Sequence, residues 1–183
     1  SPVLSAMPLC ELFVDCVQDK KNIALSAIAD IEACFERDPA CTNYCQPFLF
    51  FKGFLALQSY RFANYLWHQD RKGLARYLGM QASREFDVDL HPAATIGHGI
   101  MFDHATGIVI GETAIVGNDV SLLHGVTLGG SGNQQGRRHP AVGDGVMISC
   151  GSKVLGDVRL GEGVKVGGGS IVLSNVDDHL TVV

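Results

Sequence analysis

The segment from Asp87 to Gly130 reads DVDLHPAATIGHGIMFDHATGIVIGETAIVGNDVSLLHGVTLGG and repeats every six residues. An aliphatic or aromatic residue begins each hexapeptide, and this ladder continues beyond the segment with two interruptions. Its thirteen positions are Leu90, Ile96, Phe102, Ile110, Val116, Leu122, Leu128, Val142, Ile148, Val154, Leu160, Val166 and Val172. Neither a helical period nor strict alternation produces this spacing, and hexapeptide repeats are typical of parallel β-helices. The pattern therefore predicts that the second half of the chain is a stack of three-sided coils.

The two interruptions of the ladder are themselves informative. The first adds two residues between Phe102 and Ile110. The second adds eight residues within 129–141, GGSGNQQGRRHPA, which we expect to protrude from the stack as a loop. Because this loop is polar and ends in Arg137, Arg138 and His139, it is a candidate for ligand contact, although a surface loop without function has the same composition.

Composition and charge exclude several classes of protein. The chain has 183 residues, 22 glycines and a net charge of −5, which argues against general nucleic-acid binding. It contains no apolar run of membrane-spanning length and no evident secretion signal, so we expect a cytoplasmic protein with no membrane partner. Its six cysteines lack the CxxC spacing of common zinc sites, and we expect reduced thiols.

The N-terminal half is predicted to be helical. One helix begins at Asn22 and ends before Asp38-Pro39, because the residue preceding a proline is disfavoured in helical geometry. A second runs from after Pro47 to about Gln69, and a third covers 71–86. We therefore expect an α+β protein with a helical domain at 1–86 and a β-helix at 87–183, carrying the protruding loop 129–141.

Three histidines occupy the third place of their hexapeptides, namely His98, His104 and His124. Repeat geometry could bring two or three of them to one corner, which raises the possibility of a zinc site shared between subunits. The ligand spacing argues against this, because zinc sites usually take two ligands close together in sequence. We therefore predict no metal.

General-base catalysis is the alternative use of these histidines. His104 lies in the tight segment AspHisAlaThrGly, and Asp89 lies fifteen residues earlier, close to one coil of eighteen. A carboxylate that contacts one imidazole nitrogen fixes the tautomer and raises the basicity of the other nitrogen. We therefore expect Asp89 to contact His104, which would remove a proton from an alcohol attacking an acyl group. A purely structural role for His104 is the competing hypothesis.

Six motifs together resemble the serine acetyltransferase family. They are DIEACFERDP (30–39), KGFLALQSYR (52–61), DLHPAA (89–94), DHATGIVIGETA (103–114), VTLGG (126–130) and RHP (138–140). The hexapeptides alone indicate only an acyltransferase superfamily, whereas the helical motifs and DHATG are more specific. The resemblance implies a left-handed β-helix and transfer of an acetyl group from acetyl-CoA to the hydroxyl of L-serine, in cysteine biosynthesis.

The resemblance also implies roles for individual residues. His104 matches the general base and Asp89 its partner. Asp38 and Asp103 match carboxylates that bind the substrate ammonium, and Arg138 with His139 matches the pair that binds its carboxylate. The positions that match the acetyl-CoA site are Gly130, Ser131, Cys150, Lys165 and Gly168. Cys150 stands where a small residue such as alanine is expected.

Assembly and partners are expectations of the same kind. A coil stack buries only its narrow interior, so we expect its outer faces to pack against other copies in a homotrimer, and the helical region to pair two trimers. The family implies L-cysteine as a feedback inhibitor, and O-acetylserine sulfhydrylase as a partner bound through a tail beyond Val183. The rival functions are an acyltransferase for a sugar or antibiotic hydroxyl, a non-catalytic scaffold and a zinc hydratase.

Overall fold

The structure of the protein is a computed structural model, which describes residues 6–19, 22–132 and 136–183. Residues 1–5 and 20–21 of the predicted helical region, and residues 133–135 of the predicted loop, lie outside the described residues. The helices are α1 (Ala6–Asp19), α2 (Asn22–Arg37), α3 (Cys45–Phe50), α4 (Lys52–His68) and α5 (Lys72–Phe86). None of the described helices is long and apolar enough to cross a membrane.

The helices follow the prediction except after Pro47. The predicted single helix is two, because Phe51 between α3 and α4 is extended, with φ −89° and ψ 105°. The turn at Phe51 lets the first residues of α4 lie directly on the β-helix. A Cβ atom on Gly53 would be 2.3 Å from the carbonyl oxygen of Phe102. Only glycine, which has no Cβ atom, therefore permits this close approach.

In the described part of the chain, fourteen short strands follow α5. They are β1 (Val88–Leu90), β2 (Thr95–Ile96), β3 (Met101–Asp103), β4 (Ile108–Ile110), β5 (Ile115–Val116), β6 (Ser121–Leu123), β7 (Thr127–Gly129), β8 (Ala141–Val142), β9 (Met147–Ile148), β10 (Lys153–Leu155), β11 (Arg159–Leu160), β12 (Lys165–Val166), β13 (Ile171–Val172) and β14 (Thr181–Val182). They form three parallel sheets: sheet A (β1-β4-β7-β10-β13), sheet B (β2-β5-β8-β11) and sheet C (β3-β6-β9-β12-β14). The chain visits A, B and C in turn, which makes a three-sided coil.

The predicted ladder is confirmed. All thirteen side chains point into the prism, and none is more than 9% exposed. In the first coils the paired positions are twenty residues apart, as between Ile96 and Val116, whereas Val142 pairs with Leu160 eighteen residues later. The extra two residues of the early coils enter at 104–107, and the extra eight enter at 130–140.

Three columns of corners join the sheets. The A–B corners are 91–94, 111–114, 130–140, 156–158 and 173–175. The B–C corners are 97–100, 117–120, 143–146, 161–164 and 177–180. The C–A corners are 104–107, 124–126, 149–152 and 167–170. Successive corners stack through backbone hydrogen bonds. In the C–A column, for example, the amide of Gly151 donates to the carbonyl of His124 and that of Gly169 to the carbonyl of Cys150, each at 2.9 Å.

The helices and the β-helix share one core. Ala56, Leu57 and Tyr60 of α4 belong to the same buried cluster as the ladder. A buried ion pair adds to this contact, because Arg61 of α4 binds Asp30 of α2 at 2.7 Å, and Asp30 is fully buried. The predicted boundary falls where α5 ends at Phe86 and β1 begins at Val88. The division into a helical domain at 1–86 and a β-helix domain at 87–183 remains a prediction.

Candidate functional site

The first C–A corner, residues 104–107, has an unusual backbone. His104 and Ala105 have φ values of +55° and +62°, a region that residues other than glycine rarely adopt. Each is the central residue of a three-residue turn, because Ala105 N–H donates to the Asp103 carbonyl at 2.6 Å and Thr106 N–H to the His104 carbonyl at 2.8 Å. Consecutive turns of this kind are strained, and they lift the His104 side chain out of the prism, where it is 76% exposed.

An open pocket of about 350 Å³ lies beside this corner. It is lined by Asp103 and His104 from the β-helix, by Asp38 from the end of α2, and by Lys52 from the start of α4. Nε2 of His104 lies 3.6 Å from Oδ1 of Asp103. Asp38 also accepts a hydrogen bond from the Ala40 amide at 2.8 Å through Oδ1, so it closes the turn after α2 and lines the pocket as well. The structure therefore brings together three of the predicted site residues: Asp38, Asp103 and His104.

A second cluster occupies the A–B corners. Arg138 forms a short ion pair with Glu112, and its backbone amide donates to the hydroxyl of Thr113 at 3.1 Å. The hydrogen bond from Arg138 is the main cause of the lowered pKa of the Glu112 carboxyl. Arg138, which is predicted to bind a substrate carboxylate, is thus held in place by a carboxylate of its own chain.

His139 is buried against Gly111 in this second cluster, with 8% exposure. A Cβ atom on Gly111 would lie 2.0 Å from Nε2 of the imidazole, so the corner needs glycine there. Nδ1 accepts the Thr113 amide at 3.2 Å and lies 2.8 Å from its hydroxyl. Burial and the neighbouring Arg138 lower the pKa of His139. Because an amide can only donate, Nδ1 carries no proton, and the neutral ring presents N–H at Nε2.

Asp89 does not pair with His104 within the chain, which corrects the predicted contact. The coil is twenty residues long at this point, so Asp89 pairs with Val109 in sheet A. Its side chain is exposed in a groove with His91, and its charge acts to raise the pKa of that histidine, although burial, the larger influence, lowers it overall. Asp89 therefore lies on the face of sheet A and belongs with the second cluster.

The residues that are predicted to bind acetyl-CoA also fall into two groups, one near the C–A corners and one at the A–B corner. Cys150 and Gly168 lie in the C–A column above His104 and His124, and Lys165 is exposed on the outer face of neighbouring sheet C. Gly130 and Ser131 lie at the A–B corner, where a Cβ atom on Gly130 would be 3.3 Å from Nε2 of His139. The two groups stand at opposite edges of sheet A.

Two of the three repeat histidines meet at one corner. The rings of His104 and His124 are edge to face, with centroids 5.9 Å apart, while His98 lies at a B–C corner. In the part of the chain that the structure describes, no group of three or more His, Cys, Asp or Glu side chains could hold a metal ion. The expectation of no metal stays a prediction.

Sequence reasoning missed three residues of these clusters, namely Lys52, Glu112 and Thr113. Lys52 donates a short hydrogen bond from Nζ to the hydroxyl of Thr106 at the strained corner. Glu112 and Thr113 lie in the motif that carries DHATG, but only their stacking against Arg138 and His139, about one coil later, gives them a role.

Comparison with protein families identifies the chain. The family model described as serine acetyltransferase, N-terminal, matches residues 1–59, and that described as bacterial transferase hexapeptide matches residues 139–174. Serine acetyltransferase of Haemophilus influenzae is 52% identical over 181 residues, covering 99% of this chain and 68% of the relative. The chain thus spans about two thirds of the length of that relative.

Solved structures show the same similarity. Serine acetyltransferase of Neisseria gonorrhoeae in complex with serine matches with a TM-score of 0.97 and 48% identity, over 100% of this chain and 75% of that one. A serine acetyltransferase in complex with cysteine matches at 0.97 and 52% identity, and one in complex with CoA at 0.92 and 50% identity, each over 99% of this chain and 75% of the other.

These matches confirm the predicted fold class, a helical region followed by a left-handed parallel β-helix of hexapeptide repeats. They cover the helices and the β-helix alike, so the likeness extends beyond the hexapeptides that many acyltransferases share. The chain belongs to the serine acetyltransferase family.

Proposed function

We infer that this chain transfers the acetyl group of acetyl-CoA to the hydroxyl of L-serine, giving O-acetyl-L-serine and CoA. The observation that carries this inference is the pocket beside His104, in which an exposed imidazole and two carboxylates face one space of about 350 Å³. Serine is a zwitterion with an unreactive hydroxyl, so it needs a base for the hydroxyl proton and carboxylates for the ammonium. Relatives of this family have been solved with serine and with CoA.

The mechanism we propose is direct transfer. His104 takes the hydroxyl proton as the serine oxygen attacks the thioester carbon, and the C–S bond then breaks. The departing thiolate receives the proton from the imidazolium, which restores the neutral base. Backbone amides near Gly130 stabilise the oxyanion. Asp38 and Asp103 bind the ammonium, while Arg138 and the Nε2–H of His139 bind the serine carboxylate.

This mechanism requires two chains, and we propose a cyclic homotrimer. The ammonium site lies at a C–A corner and the carboxylate site at an A–B corner, separated by a strand of sheet A that is roughly 10 Å long at about 3.3 Å per residue. One serine molecule is too short to contact both corners of one chain. Contact between two different patches is heterologous, and it forms a closed ring when the rotation closes.

In such a ring, the second cluster of one chain completes the pocket of its neighbour. Asp89, exposed on sheet A beside that cluster, is then a candidate partner for the neighbour's His104. Cys150, Lys165 and Gly168 of one chain and Gly130 and Ser131 of the next would together bind the CoA of that site. Pairing of two trimers through the helical region remains an expectation.

L-Cysteine is proposed as a competing ligand of the same pocket. It differs from serine only by sulfur in place of the hydroxyl oxygen, so its ammonium and carboxylate find the same partners. A related serine acetyltransferase has been solved with cysteine. Binding of O-acetylserine sulfhydrylase through a tail, and a cytoplasmic location, stay predictions.

The decisive experiment is thiol release from acetyl-CoA in the presence of L-serine. We expect release with L-serine and little with sugar or antibiotic hydroxyls, and His104→Ala should lower kcat by about 10² to 10⁴ while the fold is unchanged by circular dichroism. His98→Ala, at a B–C corner, is the matched control and should retain full activity. Thiol release that is independent of the acceptor, or a fully active His104→Ala variant, would contradict the assignment.

A further inference from the structure

We propose that Lys52 is a positioning residue for His104, acting through Thr106. The inference rests on the proposed function of His104 as the general base, and it gives the helical region a direct part in catalysis. It joins three observations: a strained corner, a side-chain contact to that corner from α4, and the close packing of α4 on β3.

Within the described residues, the backbone groups of His104 and Ala105 form hydrogen bonds only to neighbours in the same short segment. His104 and Ala105 both adopt positive φ, and the turns at both residues are closed by local hydrogen bonds only. Two further backbone bonds, from the Gly107 amide to the Asp87 carbonyl at 2.7 Å and from the Gly125 amide to the Thr106 carbonyl at 2.8 Å, fix its far end. Such a conformation persists where the surroundings determine it. The buried methyl group of Ala105 is one restraint on the segment.

Lys52 supplies the restraint at the exposed side. Its Nζ donates a short hydrogen bond to the hydroxyl of Thr106, the residue that follows the two strained ones. The contact joins residues that are 54 positions apart in sequence. It is the only side-chain hydrogen bond to residues 104–107 in the described part of the chain.

The position of Lys52 is itself well determined. Lys52 is the first residue of α4, and Gly53 beside it packs against the Phe102 carbonyl so closely that a Cβ atom would be only 2.3 Å away. The ammonium group therefore approaches Thr106 from a backbone held directly on β3. A helix seated in this way can transmit its position to the corner that follows β3.

The partner of Lys52 distinguishes positioning from a purely ionic role. Asp38 and Asp103 line the same pocket, yet Lys52 forms no ion pair with either of them within the described residues. Its contact is with a neutral hydroxyl of the turn. If Lys52 served instead to bind the anionic end of a substrate, its loss would raise a KM and would not depend on Thr106.

A double-mutant cycle tests the proposal. Lys52→Met removes the donor and keeps the aliphatic stem, and Thr106→Val removes the hydroxyl and keeps the shape. Each should lower kcat by about 10-fold to 100-fold, the size expected when a catalytic group is misplaced by about an ångström, with both KM values within about 2-fold. The double variant should be no slower than the slower single variant, because both changes break one contact.

Conservative variants and a remote lysine serve as controls. Thr106→Ser keeps the hydroxyl and should retain most of kcat. Lys72→Met removes a lysine from the start of α5, where it pairs with Asp70, and should leave kcat unchanged. Multiplying effects in the double variant, an increase in KM alone, or an unchanged kcat in Lys52→Met would each overturn the positioning role.

A second readout separates this inference from the proposed function. Amide hydrogen exchange at 105–107 should become at least 10-fold faster in Lys52→Met and Thr106→Val, while amides of the 149–152 corner keep their wild-type rates. If the wild-type protein transfers no acetyl group to serine, the proposed function fails, yet the exchange rates still decide whether Lys52 fixes the corner. Unchanged exchange at 105–107 would refute it.

Discussion

His139 lies against Thr113, and the hydrogen bonds between these two residues determine the state of the imidazole. The Thr113 hydroxyl accepts the amide of Arg138, so its own proton is directed to Nδ1 of His139. The ring is therefore held neutral, with its N–H at Nε2. Burial, which lowers the pKa of His139, acts in the same direction.

Replacing Thr113 by valine should raise the pKa of His139, because the hydroxyl stabilises only the neutral ring. The measurement is an NMR titration of the imidazole signals, and Thr95→Val, at an exposed position of β2, should leave the titration unchanged. A pKa that stays the same in Thr113→Val would contradict the proposed hydrogen-bond direction.

The lowered pKa also gives the sign of a stability effect. At pH values between the folded-state pKa of His139 and its unfolded-state pKa of about 6.5, the imidazole is largely protonated in the unfolded chain and largely neutral in the folded one. The contribution of His139 to stability is therefore complete above about pH 6.5 and is lost as the pH falls.

Two arginines attach the helices to the first B–C corner of the β-helix. Arg61 of α4 donates to the Gly97 carbonyl at 2.9 Å and pairs with buried Asp30, which also accepts the Ile100 amide. Arg37 at the end of α2 donates to the Gly99 carbonyl at 3.0 Å and pairs with exposed Asp119. The two attachments resemble each other in geometry but differ in burial.

Removing Arg61 should cost far more stability than removing Arg37. Arg61→Met leaves the Asp30 carboxylate buried without its counter-ion, and we expect a loss of about 3–5 kcal/mol. Arg37→Met breaks a partly exposed pair, for which about 1 kcal/mol is expected. Urea unfolding at one fixed protein concentration measures both losses. Equal losses would show that burial does not set the strength of these attachments.

The loss in Arg61→Met should also depend on pH. Burial, opposed by Arg61, already raises the pKa of the Asp30 carboxyl. Without Arg61 that pKa rises further. The variant should therefore be least destabilised below about pH 4, where Asp30 is protonated in both the folded and the unfolded state. Its destabilisation should increase as the pH rises through the folded-state pKa.

The elements that sequence predicted well are those fixed by local periodicity. The thirteen rungs and the end of α2 before Asp38-Pro39 follow from patterns within a few residues. The break at Phe51 was missed because its cause, the approach of Gly53 to Phe102, is a tertiary contact. The pairing of Asp30 with Arg61 was missed for the same reason, since a charged residue on a helix is usually solvated.

The candidate site could be predicted only in part from the sequence. The residue types were available from the motifs, but the Asp89–His104 contact assumed a coil of eighteen residues, and the two extra residues at 104–107 place Asp89 beside Val109 instead. The division of the site between two columns of corners depends on which column each residue joins. Spacing along the chain is known from the amino-acid sequence, whereas the register of the strands determines which edge of the prism each residue occupies.

At the scale of the whole molecule, the divided site predicts complementation between inactive chains. His104→Ala disables the C–A half and Arg138→Ala the A–B half, and in a trimer with shared sites a mixed population regains sites built from two intact halves. Co-expression in equal amounts should restore about a quarter of wild-type activity, because each site draws its halves at random from two chains.

Separately purified variants, mixed without subunit exchange, are the control and should stay inactive. Light scattering should give the mass of a trimer or a multiple of it for each variant. A stable monomer, or co-expressed chains that remain inactive, would exclude the shared site.

The C–A column places His104, His124, Cys150 and Gly168 on successive coils, and coils stack at about 4.8 Å. An extended molecule that lies along this column would contact residues at this regular spacing. Since the coils after the loop repeat every eighteen residues, deleting one of them moves Gly168 toward His104 by a single fixed step and leaves every remaining rung in phase. The reach of the acyl donor that such a protein accepts would then change in discrete increments, set by the number of coils.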